Sequence, residues 1–180
     1  DPLAVEGAVP PYEMGSVAIA HVPVDIGLST GRMRGNAHSY TAFFTESFVD
    51  EIAAEFGREP LSYRIEMLGG DVRMVSCLQR AARLSQWDGG GDQSGQGLGC
   101  QLMGDSEASG RIACIATARL EGGGVRVTKI SAAVNIGRIV NLDIARQQIE
   151  GGLVFGLSFA LGASTAYSGG LPTNQRLSDL

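Results

Sequence analysis

Apolar and polar positions alternate in four regimes along this chain. Ser16 to Val24 is almost continuously apolar and rich in β-branched residues, with Pro23 near its end, so it predicts a strand. From Ser39 the spacing turns helical: Phe43, Phe44, Phe48, Ile52 and Phe56 recur near one face up to a stop at Gly57. Glu46, Asp50, Glu51 and Glu55 fill the remaining surface and are expected to be solvated or to cap. Glu59-Pro60 opens a short helix over 61–68, closed by Gly69-Gly70. A second amphipathic helix is predicted over 72–87, with Val75, Leu78, Ala82 and Trp87 inward.

A glycine-rich polar loop, 88–97, separates these helices from a region of period two. Residues 98–103, 112–120 and 125–134 predict three strands, the last two joined tightly by Glu121-Gly122-Gly123-Gly124. Residues 143–161 return to helix with Asp143 as N-cap. Gly151, Gly152, Gly156 and Gly162 weaken an isolated helix by about 1 kcal/mol each relative to Ala, so close packing against a sheet or a ligand is expected there. Residues 1–15 carry three prolines and read as an extended arm. The organisation is thus an arm (1–15), one domain (16–162) and a C-terminal loop (163–180). Helices followed by strands in this segregated order predict an α+β fold, a largely antiparallel sheet with helices packed on one face.

Composition narrows the function classes. The 180 residues are 44% hydrophobic and 18% charged, enough for one real core and unlike a disordered chain. A formal charge of −5 with no Lys/Arg block argues against a nucleic-acid partner. No apolar run reaches the roughly 18 residues of a spanning helix, and the first residues have neither the basic nor the apolar part of a signal peptide. Cys77, Cys100 and Cys114 show no metal or disulfide spacing and read as small buried apolar side chains. His21 and His38 stand apart from any metal pattern and read as structural. No nucleophile elbow, general base or metal-ligand set emerges, so no catalytic or metal residue is assigned.

Three stretches could bind a ligand. Thr30-Gly31-Arg32-Met33-Arg34-Gly35 places two arginines and two glycines before a helix, which suits an anion: glycine permits close backbone approach and arginine offers a two-pronged donor. Its plainer reading is a surface turn with solvated arginines. Gln148, Glu150, Gly151 and Gly152 set polar groups beside glycines, and Gln148 can both donate and accept along the edge of a pterin or pyrimidine. The plainer reading is an exposed helix face beside a packing notch. Gly95-Gln96-Gly97-Leu98-Gly99 looks superficially like a phosphate loop, but a strand follows it where a dinucleotide fingerprint needs a helix.

Taken in order, these motifs resemble the molybdenum-binding large subunit of the xanthine dehydrogenase/aldehyde oxidase family, in the branch of the isoquinoline 1-oxidoreductase β-subunit and the bacterial membrane-associated aldehyde dehydrogenases. The resemblance runs from about Tyr12 to Leu180. It rests on Arg34-Gly35, on Glu46-Ser47-Phe48-Val49-Asp50-Glu51-Ile52-Ala53, on Gly57-Arg58-Glu59-Pro60 through Arg64, and on Gln148-Ile149-Glu150-Gly151-Gly152. Asn135, where the family often has Asp, Leu142 in place of Pro, Gln86-Trp87 in place of Gly-Trp and a more polar 106–110 depart from the pattern.

The resemblance implies a parent enzyme that hydroxylates a carbon beside a ring nitrogen or oxidises an aldehyde. Its cofactor would be molybdopterin cytosine dinucleotide, held in part by Arg34, Gly35, Gln148, Gly151 and Gly152. Electrons would pass to [2Fe-2S] clusters on an iron-sulfur subunit or domain, then to a flavin or cytochrome acceptor. The family's catalytic Glu motif does not occur among these residues. The resemblance therefore implies a fragment that needs the remainder of its own large subunit, inactive alone, from a cytoplasmic or periplasmic parent. The alternatives are a cofactor-free scaffold or interaction module that keeps the fold and, more remotely, a nucleotide-binding protein using Gly95–Gly99.

Overall fold

The computed structural model describes residues 2–28, 30–91, 94–104, 108–174 and 176. Asp92 and Gln93 of the glycine-rich loop, Ser106 and Glu107 of the polar stretch, and residues 175 and 177–180 of the C-terminal loop lie outside them. The chain forms two compact units, Asp1–Gly137 and Arg138–Leu180.

In the first unit a short 3₁₀ turn, Pro2–Val5, precedes three helices, α1 (His38–Glu55), α2 (Pro60–Met67) and α3 (Val72–Ser85). Three strands follow, β1 (Gln96–Met103), β2 (Gly110–Glu121) and β3 (Gly124–Asn135), antiparallel in the order β1-β2-β3. This is the α+β arrangement expected from the sequence. Gly122 and Gly123 both have positive φ, +61° and +84°, as a two-residue hairpin turn between twisted strands requires. The register Leu98↔Ile115 and Cys100↔Ala113 puts these four on one face, which is buried. With Met74, Cys77, Leu78 and Ala81 of α3 and Val49 of α1 they make the core.

Helix α3 has the strongest amphipathic pattern. Its N-cap Asp71 accepts from Met74 N–H at 3.0 Å, and Gln86 ends it in the left-handed conformation. Of the four inward positions predicted for it, Leu78 is buried, whereas Val75, Ala82 and Trp87 pack partly buried against the core. Helix α2 starts as predicted at Glu59-Pro60, the Glu59 carboxylate accepting from Leu61 and Ser62 N–H.

Helix α1 reverses the expected inside and outside. Phe43, Phe44, Phe48 and Phe56 are between 59% and 70% exposed, while Thr41, Glu46, Val49 and Ala53 are buried. The reason is charge pairing. Arg64 of α2 is fully buried, and its Nε donates to Glu46 Oε2 at 3.0 Å, its Nη1 to Asp50 Oδ1 at 2.6 Å and its Nη2 to the Glu46 carbonyl at 3.0 Å. Tyr12 Oη donates to Glu46 Oε1 at 2.7 Å, and Cys100 N–H donates to Glu46 Oε2 at 2.9 Å. A buried guanidinium needs its carboxylates, so the acidic stripe of α1 turns inward and the aromatic stripe is left outside.

Two further expectations are corrected. Residues 16–24 form no strand: they run extended and exposed, with no ladder partner among the described residues. The N-terminal arm is not simply extended either. It contains the 3₁₀ turn, buries Tyr12, and is tied to α1 by Tyr40 Oη donating to Ala4 O at 2.6 Å and Thr41 Oγ1 to Glu6 O at 2.9 Å.

The second unit comprises α4 (Leu142–Ala160) and a two-stranded hairpin, β4 (Tyr167–Ser168) and β5 (Leu171–Pro172). The N-cap of α4 is Asn141, which accepts from Ile144 N–H at 3.0 Å. Asp143, expected there, sits instead in the first turn, where its charge suits the helix dipole. No residue of α4 is buried, and a Cβ on Gly156 would meet nothing within 4 Å. Among the described residues no helix is long and apolar enough to cross a membrane.

Two outcomes follow from the buried pairing and the α2 cap. Glu46→Ala leaves Arg64 buried without its main partner and should cost roughly 3–5 kcal/mol; Glu46→Ala combined with Arg64→Met should recover part of that loss. Urea unfolding of the wild type, both single variants and the pair measures the coupling, and additive losses contradict it. For Glu59, burial pushes the carboxyl up. Hydrogen bonds from the Ser62 hydroxyl, Trp87 Nε1 and the Leu61 and Ser62 amides outweigh it, so the group ends below its ordinary range. Its stabilising contribution is therefore complete above the unfolded carboxyl's pKa and is lost as pH falls through the lower folded value. Glu59→Gln should flatten the stability profile in that acid window and leave the slope at neutral pH unchanged.

Candidate functional site

The structure carries the sequence-predicted ligand residues on different units: Arg34 and Gly35 on the first, Gln148, Gly151 and Gly152 on the second. In the first unit, residues 33–36 form a turn closed by Asn36 N–H donating to Met33 O at 2.9 Å. Gly35 has φ +90° and Asn36 φ +47°. Glycine is needed at 35 for that left-handed backbone and not for space, because a Cβ there would meet only Ser39 Cβ at 3.9 Å.

The turn leads directly into α1, whose start differs from the others. Glu59, Asp71 and Asn141 supply side-chain caps to α2, α3 and α4, whereas the N-cap of α1 is Ala37, which offers no acceptor. The positive end of an 18-residue helix dipole thus lacks a side-chain cap. Beside it is an open cleft of about 670 Å³ lined by Leu3, Ala4, Thr30, Gly31, Arg32, Met33, Asn36, Ala37, Ser39 and Tyr40. None of these lining residues is acidic. A Cβ on Gly31 would meet nothing within 4 Å, so a ligand can come close to the backbone there. Arg32 lines the cleft; Arg34 and Gly35 belong to the turn at its margin.

The contribution of Leu3 and Ala4 is not readable from the sequence. They reach the cleft because Tyr40 holds the carbonyl of Ala4, a contact between residues 36 apart with no local signature.

On α4, Gln148, Gly151 and Gly152 stand three and four residues apart and therefore share a face. Gln148 is exposed and the two glycines are partly buried. A flat group lying along this face would meet an amide at one end and bare backbone at the other. Glu150 is two positions from Gln148 and points to another side of the helix.

Residues Gly95–Gly99 do not form a phosphate loop. They enter edge strand β1, and Gly95 O accepts from Ala118 N–H at 2.7 Å beside the register shift at Thr117/Ala118. A Cβ on Gly95 would lie 2.4 Å from Ala118 O, which explains that glycine by backbone crowding. A second cleft, about 550 Å³, lies beside this strand and is lined by Trp87, Gly89, Gly90 and Gly91 among others. Its polar side chains are engaged by the fold: Asp50 with Arg64, Glu59 with Trp87 Nε1 at 2.7 Å, and Gln96 with Ser85 O at 3.2 Å.

Burial disfavours the thiolate form of the three cysteines. Burial pushes Cys100 up to about 12 and Cys114 up to about 11, and it raises Cys77 as well. Among the described residues no group of three His, Cys, Asp or Glu could hold a metal ion. His38 Nδ1 lies 3.1 Å from Gln101 Nε2 at the start of α1, a structural contact.

Comparison with known proteins supports the resemblance. A family model described as a molybdopterin cofactor-binding domain matches residues 104–180. The chain is 28% identical over 131 residues to the β subunit of isoquinoline 1-oxidoreductase from Brevundimonas diminuta, covering 72% of this chain and 17% of that protein. It is 24% identical over 98% of its length to a membrane-bound aldehyde dehydrogenase (pyrroloquinoline-quinone) of Gluconacetobacter polyoxogenes, 26% of which is covered. It is 26% identical over 82% of its length to a subunit of nicotinate dehydrogenase from Pseudomonas putida, 14% of which is covered. The chain thus spans about a quarter or less of the length of these relatives. The resemblance read from the sequence is borne out: residues 104–180 match a molybdopterin cofactor-binding domain, and over most of its length the chain is similar to a subunit of isoquinoline 1-oxidoreductase, a subunit of nicotinate dehydrogenase and a membrane-bound aldehyde dehydrogenase.

Proposed function

We propose that this chain supplies part of the cofactor cradle of a molybdenum hydroxylase subunit that oxidises N-heteroaromatic compounds or aldehydes. The observation that carries the reading is the match of residues 104–180, which contain the Gln148-to-Gly152 face, to a molybdopterin cofactor-binding domain. The substrate class follows the relatives, whose names give isoquinoline, nicotinate and aldehyde oxidation.

The residues present fit a phosphate-bearing pterin. A cleft whose described lining residues carry no carboxylate, beside a helix start whose N-cap residue is Ala37, suits an anion, with Arg32 on its wall and Arg34 beside it. On the first unit we assign Arg34 and Gly35 to cofactor binding through its anionic groups, and on the second, taken by itself, Gln148 to a ring edge or a phosphate. Gly151 and Gly152 bring the backbone of α4 close to it. The dinucleotide form we assign is molybdopterin cytosine dinucleotide. When bound, the cofactor supplies a redox centre that oxidises substrate with oxygen from water. Every role given to this chain is binding and orientation; its thiols stay protonated and none of its carboxylates is assigned as a base.

The partners follow from the same reading. Relatives named as subunits point to a multisubunit enzyme. We assign [2Fe-2S] clusters to an iron-sulfur subunit or domain, onward transfer to a flavin or cytochrome, and the catalytic base to the remainder of the large subunit. The 180 residues alone are then inactive.

The test is molybdenum and acid-released cytidine nucleotide per chain, on gene product purified from a host that makes the cofactor. Both should be present in equal amounts. Arg34→Ala and Gln148→Ala should each lower occupancy at limiting cofactor by about tenfold, the effect of losing roughly 1.4 kcal/mol of binding. Folded protein without either component would assign the chain to a scaffold role. Molybdenum unaffected by both substitutions would reject these residues as ligands.

A further inference from the structure

We propose that residues 16–24 are an edge strand that completes its hydrogen-bond ladder on an extended segment of a longer subunit, outside the 180 residues of this chain. Ala18, Ala20, Val22 and Val24 fall on one face at the strand period, and Val17 and Ile19 on the other. Apart from Ser16 on the first face and His21 on the second, both faces are apolar, the pattern of a strand covered on both sides. Yet every residue from Ser16 to Leu28 is exposed, Val22 to 77% and Val24 to 74%, and the segment joins neither sheet. An exposed extended backbone with this composition is a template for strand pairing.

The chemistry of the segment fixes which edge pairs. In a strand, alternate N–H groups point to opposite edges, so Val17, Ile19, His21 and position 23 share one edge and Ala18, Ala20, Val22 and Val24 the other. Pro23 has no N–H to give, so a continuous ladder forms through the even-numbered residues and the odd edge stays outermost. The strand ends where Asp25 Oδ1 accepts from Gly27 N–H at 2.8 Å and Gly27 takes φ +68°.

The occupant follows from length. The Gluconacetobacter relative aligns over 98% of this chain, so residues 16–24 have counterparts within it, but the match takes up only 26% of that protein. Nearly three quarters of its length is available to supply a partner segment, whose side chains should alternate with an apolar face of their own. A second copy of this chain is the competing occupant. This inference does not depend on the cofactor assignment, and its readout is independent of cofactor content.

The experiment is residue-resolved amide hydrogen exchange on the 180-residue chain, at two concentrations tenfold apart, and on the natural gene product that contains it. The amides of Ala18, Ala20, Val22 and Val24 should exchange rapidly in the 180-residue chain at both concentrations. In the gene product they should slow by at least about a hundredfold, as ladder amides do. Val22→Pro should abolish that protection, whereas Ile19→Pro, on the outer edge, should retain it at Ala18 and Ala20. Three results overturn the proposal: protection that rises with concentration in the short chain, which assigns a second copy; rapid exchange in the gene product; or Ile19→Pro acting as strongly as Val22→Pro. A gene product no longer than this chain overturns it as well.

Discussion

The Glu46 carboxylate is the point on which the first unit depends. It accepts from Tyr12 of the arm, Arg64 of α2 and the Cys100 amide of β1, three segments with no sequence proximity. Arg64, with no exposed side-chain surface, has no water to fall back on, so the group must be assembled whole. Burial holds the Tyr12 hydroxyl in the neutral form, and the neighbouring Cys100 and Glu46 add to that effect. The Cys100 amide has a further consequence. It lies on the outer edge of β1, and its pairing with a buried carboxylate blunts that edge against strand addition.

This constraint positions the candidate site. With Glu46 and Val49 turned inward, α1 is locked against β1 and α2, and its N-terminal turn is held by Tyr40 and Thr41 against the arm. The uncapped start of α1, the Gly35-Asn36 turn and Arg32 are thereby presented on one rim from a rigid base. The aromatic stripe of α1 faces outward as a consequence, with Phe43 and Phe44 rings 5.8 Å apart.

Much of the fold is legible in the sequence. Pro60 after Glu59, Gly57 and the Gly122-Gly123 pair mark boundaries through local dihedral preferences, and those boundaries hold within two residues. The α+β order comes from the change of hydrophobic period. What misleads is polarity read one residue at a time: Glu46 is charged and Phe43 is apolar, so the sequence points the helix the other way round. Its orientation is decided by Arg64, 18 positions away, and only the pair makes burial favourable. The 16–24 strand fails for the opposite reason. Its local signal is real, but a strand exists only with a partner, and none lies among the described residues. At the candidate site the glycines and arginines of 30–35 are visible in the sequence, whereas the missing α1 cap and the Leu3-Ala4 wall arise from tertiary placement.

We assign Arg34 and Gln148 to the binding of a molybdopterin. That assignment is tested most directly by an experimental structure of the cofactor-loaded gene product. The account predicts Arg34 guanidinium and Gln148 amide nitrogens within about 3 Å of cofactor oxygen or nitrogen atoms, the ordinary range for such hydrogen bonds. A cofactor seated elsewhere, with both side chains facing solvent, would contradict it.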